Sequence, residues 1–550
     1  MQTLPLPAVE LLAAFRARLA ELQFPLPGPT AAAAEHLRTA SLAQLDDYLI
    51  PRREHLGAPL LAIVGGSTGA GKSTLVNSLI GRELTPASTL RPTTRSPLLV
   101  AAPADEEWFR SGPVLPGLTR SDAQTQSASG ATVLGIATDP QVPEQLALLD
   151  TPDIDSVVAE NRALARQLLE AGDLWLFVTT AARYADQVAW ELLAEAAHRQ
   201  LTVAVVLNRV PPGAAEPITE DLTRLLGQRG LAGTPIFTVE ETTLTGGLIP
   251  AARLAPLTGW LRDLAGDRAR REQVIRQSLV GAIDQLAEHA EDLAQAKEEQ
   301  EAQVREWEAQ IERAFANARR QILVGTGDGA WLRAEVLARW QDFVGTSDVF
   351  RTLEGWTGAV RDRVGAWFRG RPAPAQVQEE LTSGLSTIVV NEVEQAWISG
   401  AARPGPALDH AQLQQEADQL VATWQRELLE LVRTAAPGKR QRARLVSLGL
   451  NTATVALMLV VFATTGGLVG GELAVAGGSA VVGQKLLETI FGEQAVRNLA
   501  RQGTDLLSDR VSELTDRWAE QLRAPLAELN AGVGSEELST WAKRLRGGAQ

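Results

Sequence analysis

The sequence predicts an α/β nucleotide-binding domain, with a mostly parallel sheet and helices on both faces, combined with a large all-α bundle or stalk that carries a hydrophobic hairpin. Three observations lead there. Gly66-Ser67-Thr68-Gly69-Ala70-Gly71-Lys72-Ser73 reads G-x-x-x-x-G-K-S between an apolar run and an amphipathic one. Residues 59–255 alternate between short apolar runs and helix-like stretches, the pattern of a covered parallel sheet. From residue 258 the spacing turns helical and stays so.

At 550 residues the chain exceeds what one core usually holds. Its 45% hydrophobic and 21% charged content is that of an ordinary folded protein. The absence of cysteine excludes disulfides, thiolate zinc sites and a cysteine nucleophile together. With five histidines and no H-x-x-x-H pair, a metal other than nucleotide-bound Mg²⁺ is not expected. A net charge of −14 argues against a nucleic-acid partner. Met1-Gln2-Thr3-Leu4-Pro5 lacks the basic-then-apolar start of a signal peptide, so the expected location is inside the cell.

Residues 1–58 are expected to form N-terminal helices that pack with the bundle. Residues 8–23 and 30–50 have helical spacing, with Leu11, Leu12, Phe15, Leu19 and Leu22 along one side of the first. Pro25, Pro27 and Pro29 part the two segments. The nucleotide-binding domain, 59–255, opens with the run Leu60–Val64 and the phosphate loop. Backbone N–H groups of Gly66–Gly71 and the start of the helix through Thr74 would face phosphate oxygens. Lys72 would reach the β- and γ-phosphates, and the Ser73 hydroxyl would ligate Mg²⁺.

Leu90-Arg91-Pro92-Thr93-Thr94-Arg95-Ser96-Pro97 follows, where Thr94 could supply a second Mg²⁺ ligand and sense the γ-phosphate. Residues 121–131 read as a surface loop. Leu146–Asp150 is an apolar strand ending in the carboxylate expected to partner Ser73 at the metal. Further strands are expected at 173–179 and 203–209, with 235–239 as the last. Thr151 stands where ABC-type ATPases place a glutamate, and no L-S-G-G-Q segment occurs.

In order, G-x-x-x-x-G-K-S, R-P-T-T-R-S-P, Asp150-Thr151-Pro152 and Asn208-Arg209 resemble the motif series of a P-loop GTPase. The R-P-x-T-R-x-P element around Thr94 is most similar to the dynamin superfamily, especially bacterial dynamin-like proteins. The resemblance covers residues 65–209. It implies GTP and GDP as ligands, Mg²⁺ as cofactor, Asn208 and Arg209 at the base, and self-association through the GTPase domain. Four departures stand out. Asp153 replaces the glycine of D-x-x-G, and Asn208-Arg209-Val210-Pro211 lacks the aspartate that pairs with guanine. Thr68 and Gly69 replace a Gln and a Ser in the phosphate loop, and Ile154 takes the place of a water-positioning glutamine. Selectivity between guanine and adenine therefore stays open. Hydrolysis is left to Lys72 with Thr94, backbone groups or a partner.

Residues 256–438 are expected to form the helical bundle or stalk. Between Gly281 and Gly325 neither Gly nor Pro occurs, and Ile283, Ala290, Val304, Ile311 and Ala318 share one heptad position. Leu286, Leu293, Trp307 and Ala314 share the other, with Lys297 and Gln300 interrupting. Such a coiled-coil-like helix would be about 60 Å long. Trp331, Trp340, Trp356, Trp367 and Trp397 read as core anchors of further helices, and 409–434 as another helix.

Residues 439–500 hold a basic run, Lys439 to Arg444, then Leu445–Gly471 without a charge, a break at Thr465-Gly466-Gly467, and a weaker glycine-rich limb to Val482. About 20 apolar residues suffice to cross a bilayer. Segment 445–483 therefore reads as a hairpin entering lipid from the cytoplasmic face, with basic flanks. A hairpin buried in a helical domain is the alternative. Residues 501–550 are expected to return a helix to the bundle through Leu506, Val511, Leu514, Trp518 and Leu522. Two functions follow: a dynamin-like GTPase that remodels or scaffolds membrane, or a soluble nucleotide-dependent switch that binds a protein partner.

Overall fold

The computed structural model describes residues 6–84, 97–112, 114–122, 133–153, 159–327, 375–401, 405–435, 455–456, 458–460, 487–488 and 491–547. It divides into two compact units, Met1–Gln300 with Gly532–Gln550, and Glu301–Ala531. These differ from the segments read in the sequence. The N-terminal helices and the last helix belong with the nucleotide-binding half.

The first unit is built on an eight-stranded sheet: β1 Leu60–Gly66, β2 Leu98–Ala101, β3 Thr119–Asp122, β4 Val133–Thr138, β5 Leu146–Asp150, β6 Leu174–Thr180, β7 Thr202–Val210 and β8 Ile236–Glu240. Its order is β3-β4-β2-β5-β1-β6-β7-β8. All neighbours are parallel except β2 and β5, which pair antiparallel with Leu98 opposite Asp150. The sequence missed β3 and β4. Thr119-Arg120-Ser121-Asp122 is short, polar and only partly covered, so it carries no apolar signature. Ser121 and Asp122, read as loop, lie in β3.

Every residue of β1, β5 and β6 is buried, because helices cover both faces. On one face pack α1 Val9–Glu21, α2 Pro29–Gln44, α4 Lys72–Ile80, α9 Ala251–Gly266, the first half of α10 Arg268–Gly327, and α14 Ser535–Gly547. The helical turns Leu45–Leu49 and α3 Ile50–Glu54 follow α2. On the other face pack α5 Glu106–Ser111, α6 Ala159–Glu170, α7 Gln187–His198 and α8 Ala215–Gln228.

At the starts of β1 and β6 lies a buried polar node. The Asp173 carboxylate accepts bonds from Arg52, from the Tyr48 hydroxyl (3.1 Å) and from the Leu61 N–H (2.9 Å). The Ser278 hydroxyl of α10 donates to the Asp173 carbonyl (3.0 Å). Burial raises the Asp173 pKa, and Arg52 pulls it back toward the ionised form.

Helix α10 starts at Arg268, earlier than Gly281 suggested. Gly281 is glycine for a reason. A Cβ there would lie 1.7 Å from the Arg199 carbonyl oxygen at the end of α7. Of the expected heptad residues, Ile283, Leu286, Ala290, Leu293, Val304, Ile311 and Ala318 are buried, whereas Trp307 and Ala314 are only half-buried. The polar interruption is explained by the α1–α2 loop. Lys297 is buried and donates to the Gln23 carbonyl (3.4 Å), while Gln300 donates to the Leu26 carbonyl (3.0 Å) and accepts from its N–H (3.4 Å).

The second unit holds the rest of α10, α11 Ala375–Gly400, α12 His410–Ala435 and α13 Glu493–Leu529. Val511, Leu514, Trp518 and Leu522 are buried as expected, with Leu507 rather than Leu506. Trp397 meets Trp518 edge to face at 5.4 Å, and the Trp424 indole donates to the Gly503 carbonyl (2.8 Å). Trp331, Trp340, Trp356 and Trp367 lie outside the described residues. So does most of 445–483; of it, Val455, Ala456, Met458, Leu459 and Val460 are described, and they are buried. No helix among the described residues is long and apolar enough to cross a membrane, so the transmembrane reading gains no support here.

Candidate nucleotide-binding site

The phosphate loop turns where three glycines reach positive φ: Gly66 at 157°, Gly69 at 76° and Gly71 at 92°. Two of them have no room for a side chain. A Cβ on Gly66 would sit 2.0 Å from the Val178 carbonyl oxygen, and one on Gly71 would sit 2.5 Å from the Asn208 side-chain nitrogen. Gly71 hands the chain to α4, whose first residues are Lys72, Ser73 and Thr74. The N–H groups of that first turn face an anion site.

Lys72 is buried, and its ammonium donates to the carbonyls of Gly66 (2.9 Å) and Ser67 (3.3 Å) and to the carboxylate of Asp153. Asp153 is thus more than a departure from D-x-x-G, since its charge is paired with the lysine. The Ser67 hydroxyl is buried without a hydrogen-bond partner, as befits a group facing a ligand.

Asp150 ends β5 with its carboxylate fully buried beside the Ser73 hydroxyl. Burial pushes its pKa up to about 6, with Ser73 and Lys72 drawing it down and Asp153 raising it. A buried carboxylate beside the Ser73 hydroxyl fits a hard, oxygen-seeking cation. No group of three or more His, Cys, Asp or Glu among the described residues could hold a metal alone. Thr94, the other expected ligand, lies outside the described residues, as does Ile154.

Asn208 stands in the wall of the cleft and bonds to the phosphate loop. Its side-chain N–H donates to the Ala70 carbonyl (2.8 Å), and its oxygen accepts from the Arg209 N–H (3.0 Å). It clasps the phosphate loop. Arg209 is exposed, with φ 53°. Both line a cavity of about 190 Å³ beside Gly71 and Thr74, closed on the far side by the residues after β8, among them Glu241 and Leu244. The sequence reading missed Arg183, whose guanidinium donates to the Thr68 carbonyl (3.1 Å) from the β6–α7 turn. Nothing local marks it, because the sheet order brings it there.

Residues 62–210 match the model of the dynamin family. The likeness to that family is confined to these residues, which hold the phosphate loop, Asp150 and Asn208. No curated protein matches the chain. Among solved structures, the chain is similar to a member of an oligomerised bacterial dynamin pair described as providing a mechanism for long-range sensing and tethering of membranes. That chain is 10% identical over 98% of both chains, with a TM-score of 0.43. It is also similar to LeoA, a bacterial dynamin GTPase from ETEC, 11% identical over 96% of this chain and 100% of that one (TM-score 0.23). A third is Era from Aquifex aeolicus bound to GDP and AlF4⁻, 19% identical over 37% of this chain and 56% of that one (TM-score 0.24). Within the matched residues, Lys72, Ser73 and Asp150 converge at the carboxyl ends of β1 and β5, where open α/β sheets bind ligands.

Proposed function

We propose that this chain is a dynamin-like GTPase that binds and hydrolyses GTP with Mg²⁺ and couples turnover to rearrangement of its helical region. The observation that carries this is the fully buried Asp150 carboxylate at the end of β5, beside Ser73 and Lys72 of the phosphate loop. Lys72 would neutralise β- and γ-phosphate oxygens, and Ser73 and Asp150 would hold Mg²⁺. When bound, that ion supplies charge neutralisation as the γ-phosphate departs. Asn208 and Arg183 hold the loop's carbonyls, so its N–H groups stay aimed at the anion. Thr94 or a second copy of the domain would orient the attacking water. Titration of the purified chain with GTP and GDP, with and without Mg²⁺, tests this reading. Equal affinity in both series would sink it.

The membrane part of the proposal rests on the uncharged run 445–471 and its basic flanks, which support lipid binding from the cytoplasmic face and a remodelling or scaffolding role. The second reading is a soluble switch that uses its helices to bind a protein partner. The burial of Val455, Ala456 and Met458 to Val460 favours it. Flotation of the full chain with anionic liposomes, with and without GTP, separates the two. A chain that stays in the dense fraction under both conditions supports the soluble switch.

A further inference from the structure

We propose that Glu241 reads the guanine base, taking over the role that the family gives to an aspartate four residues along from Asn208 counted inclusively. The inference rests on the GTP-binding reading and adds the group that sets base selectivity.

Position 211 is proline, which offers neither a carboxylate nor an N–H. Guanine presents two parallel donors, N1–H and the 2-amino group, and a carboxylate accepts both at once. Adenine presents an acceptor at N1 and nothing polar at C2, so the same carboxylate repels it. A guanine-selective site therefore needs one free carboxylate at the base end of the cleft.

The cavity bounded by Gly71, Thr74, Asn208 and Arg209 is that end, because it adjoins the first turn of α4 on the side of β7 and β8. Two carboxylates line it. The Glu240 carboxylate is taken by an ion pair with Arg253. Glu241 is exposed and makes no side-chain hydrogen bond or ion pair among the described residues. Its backbone is fixed where it needs to be: the Glu241 N–H donates to the Val210 carbonyl (2.8 Å), the residue just before Pro211. The carboxylate thus springs from a segment bonded to the strand end that lacks one. The Arg209 stem and the exposed Leu244 line the same cavity and offer apolar surface to the faces of a flat ring.

The test is a competition titration on the full chain against a fluorescent guanine nucleotide, using GTP, XTP and ATP as competitors. Xanthine replaces the guanine 2-amino donor with a carbonyl acceptor, so it pairs with an amide and not with a carboxylate. Wild type should prefer GTP to XTP and ATP by at least about tenfold. Glu241→Gln should lose about tenfold for GTP and gain for XTP, while ATP affinity, set by the phosphate loop, stays within about twofold. A GTP:XTP ratio in Glu241→Gln equal to that of wild type overturns the assignment, as does a wild type that binds GTP and ATP alike. Binding of no purine triphosphate by wild type overturns the GTP reading itself. That result is distinct from the other two, in which triphosphate still binds.

Discussion

The carboxylate of Asp153 holds the ammonium of Lys72, which at the same time donates to the Gly66 and Ser67 carbonyls. A triphosphate entering the loop meets a lysine already paired, and its γ-phosphate would stand near a carboxylate of like charge. Asp153→Asn should therefore tighten GTP binding roughly tenfold and GDP binding less. Calorimetry on both nucleotides checks this; an unchanged GTP to GDP ratio would show that Asp153 leaves Lys72 at no cost. Lys72→Ala should abolish binding of both.

Asp150 gives a pH dependence with a definite sign. Its pKa is raised from the ordinary 3.8 to about 6 by burial. Without metal, this group's contribution to stability is greatest below pH 3.8 and is lost as pH rises through about 6. Metal binding runs the other way, since only the ionised carboxylate ligates. The Mg²⁺-dependent part of nucleotide affinity should be flat above pH 7 and fall by up to about tenfold per unit below pH 6. Asp150→Asn should remove that Mg²⁺ dependence at every pH and raise the melting temperature of the metal-free chain.

Asn208→Ala should weaken GTP and GDP binding alike, by about five- to tenfold, because it frees the Ala70 carbonyl and loosens the loop by one buried hydrogen bond. Titrations of both nucleotides decide it. A loss confined to discrimination among bases would place Asn208 on the base instead.

The Arg52–Asp173 pair is buried on both sides. Asp173→Ala leaves a buried guanidinium unpaired and should cost about 3–5 kcal/mol, seen as a lower melting temperature. Replacing both partners with apolar residues, Arg52→Met with Asp173→Leu, should restore most of the loss. An equally low melting temperature for the double variant would mean that the bonds to Tyr48 and Leu61 matter more than the charge pair.

Legibility in the sequence followed locality. The phosphate loop, Asp150 and the main strands could be read because each is a contiguous run whose residue types have one use. Asn208 was found by its motif spacing, but its bond to the Ala70 carbonyl was not legible. Arg183, Glu241 and the Asp153–Lys72 pair were opaque, because sheet order and turns bring them together from distant positions. The polar strand β3 escaped for lack of an apolar signature, and α10 ran past Gly281 because that glycine serves a close approach rather than a stop.

Lys297 and Gln300 carry one more consequence. Both are spent on the backbone of the α1–α2 loop, at Gln23 and Leu26. Sliding α10 along its axis by a heptad would drag a buried ammonium into apolar company and orphan three backbone groups, the Gln23 and Leu26 carbonyls and the Leu26 N–H. Against that loop the helix is keyed like a bolt in its slot, which sets it against acting as a piston.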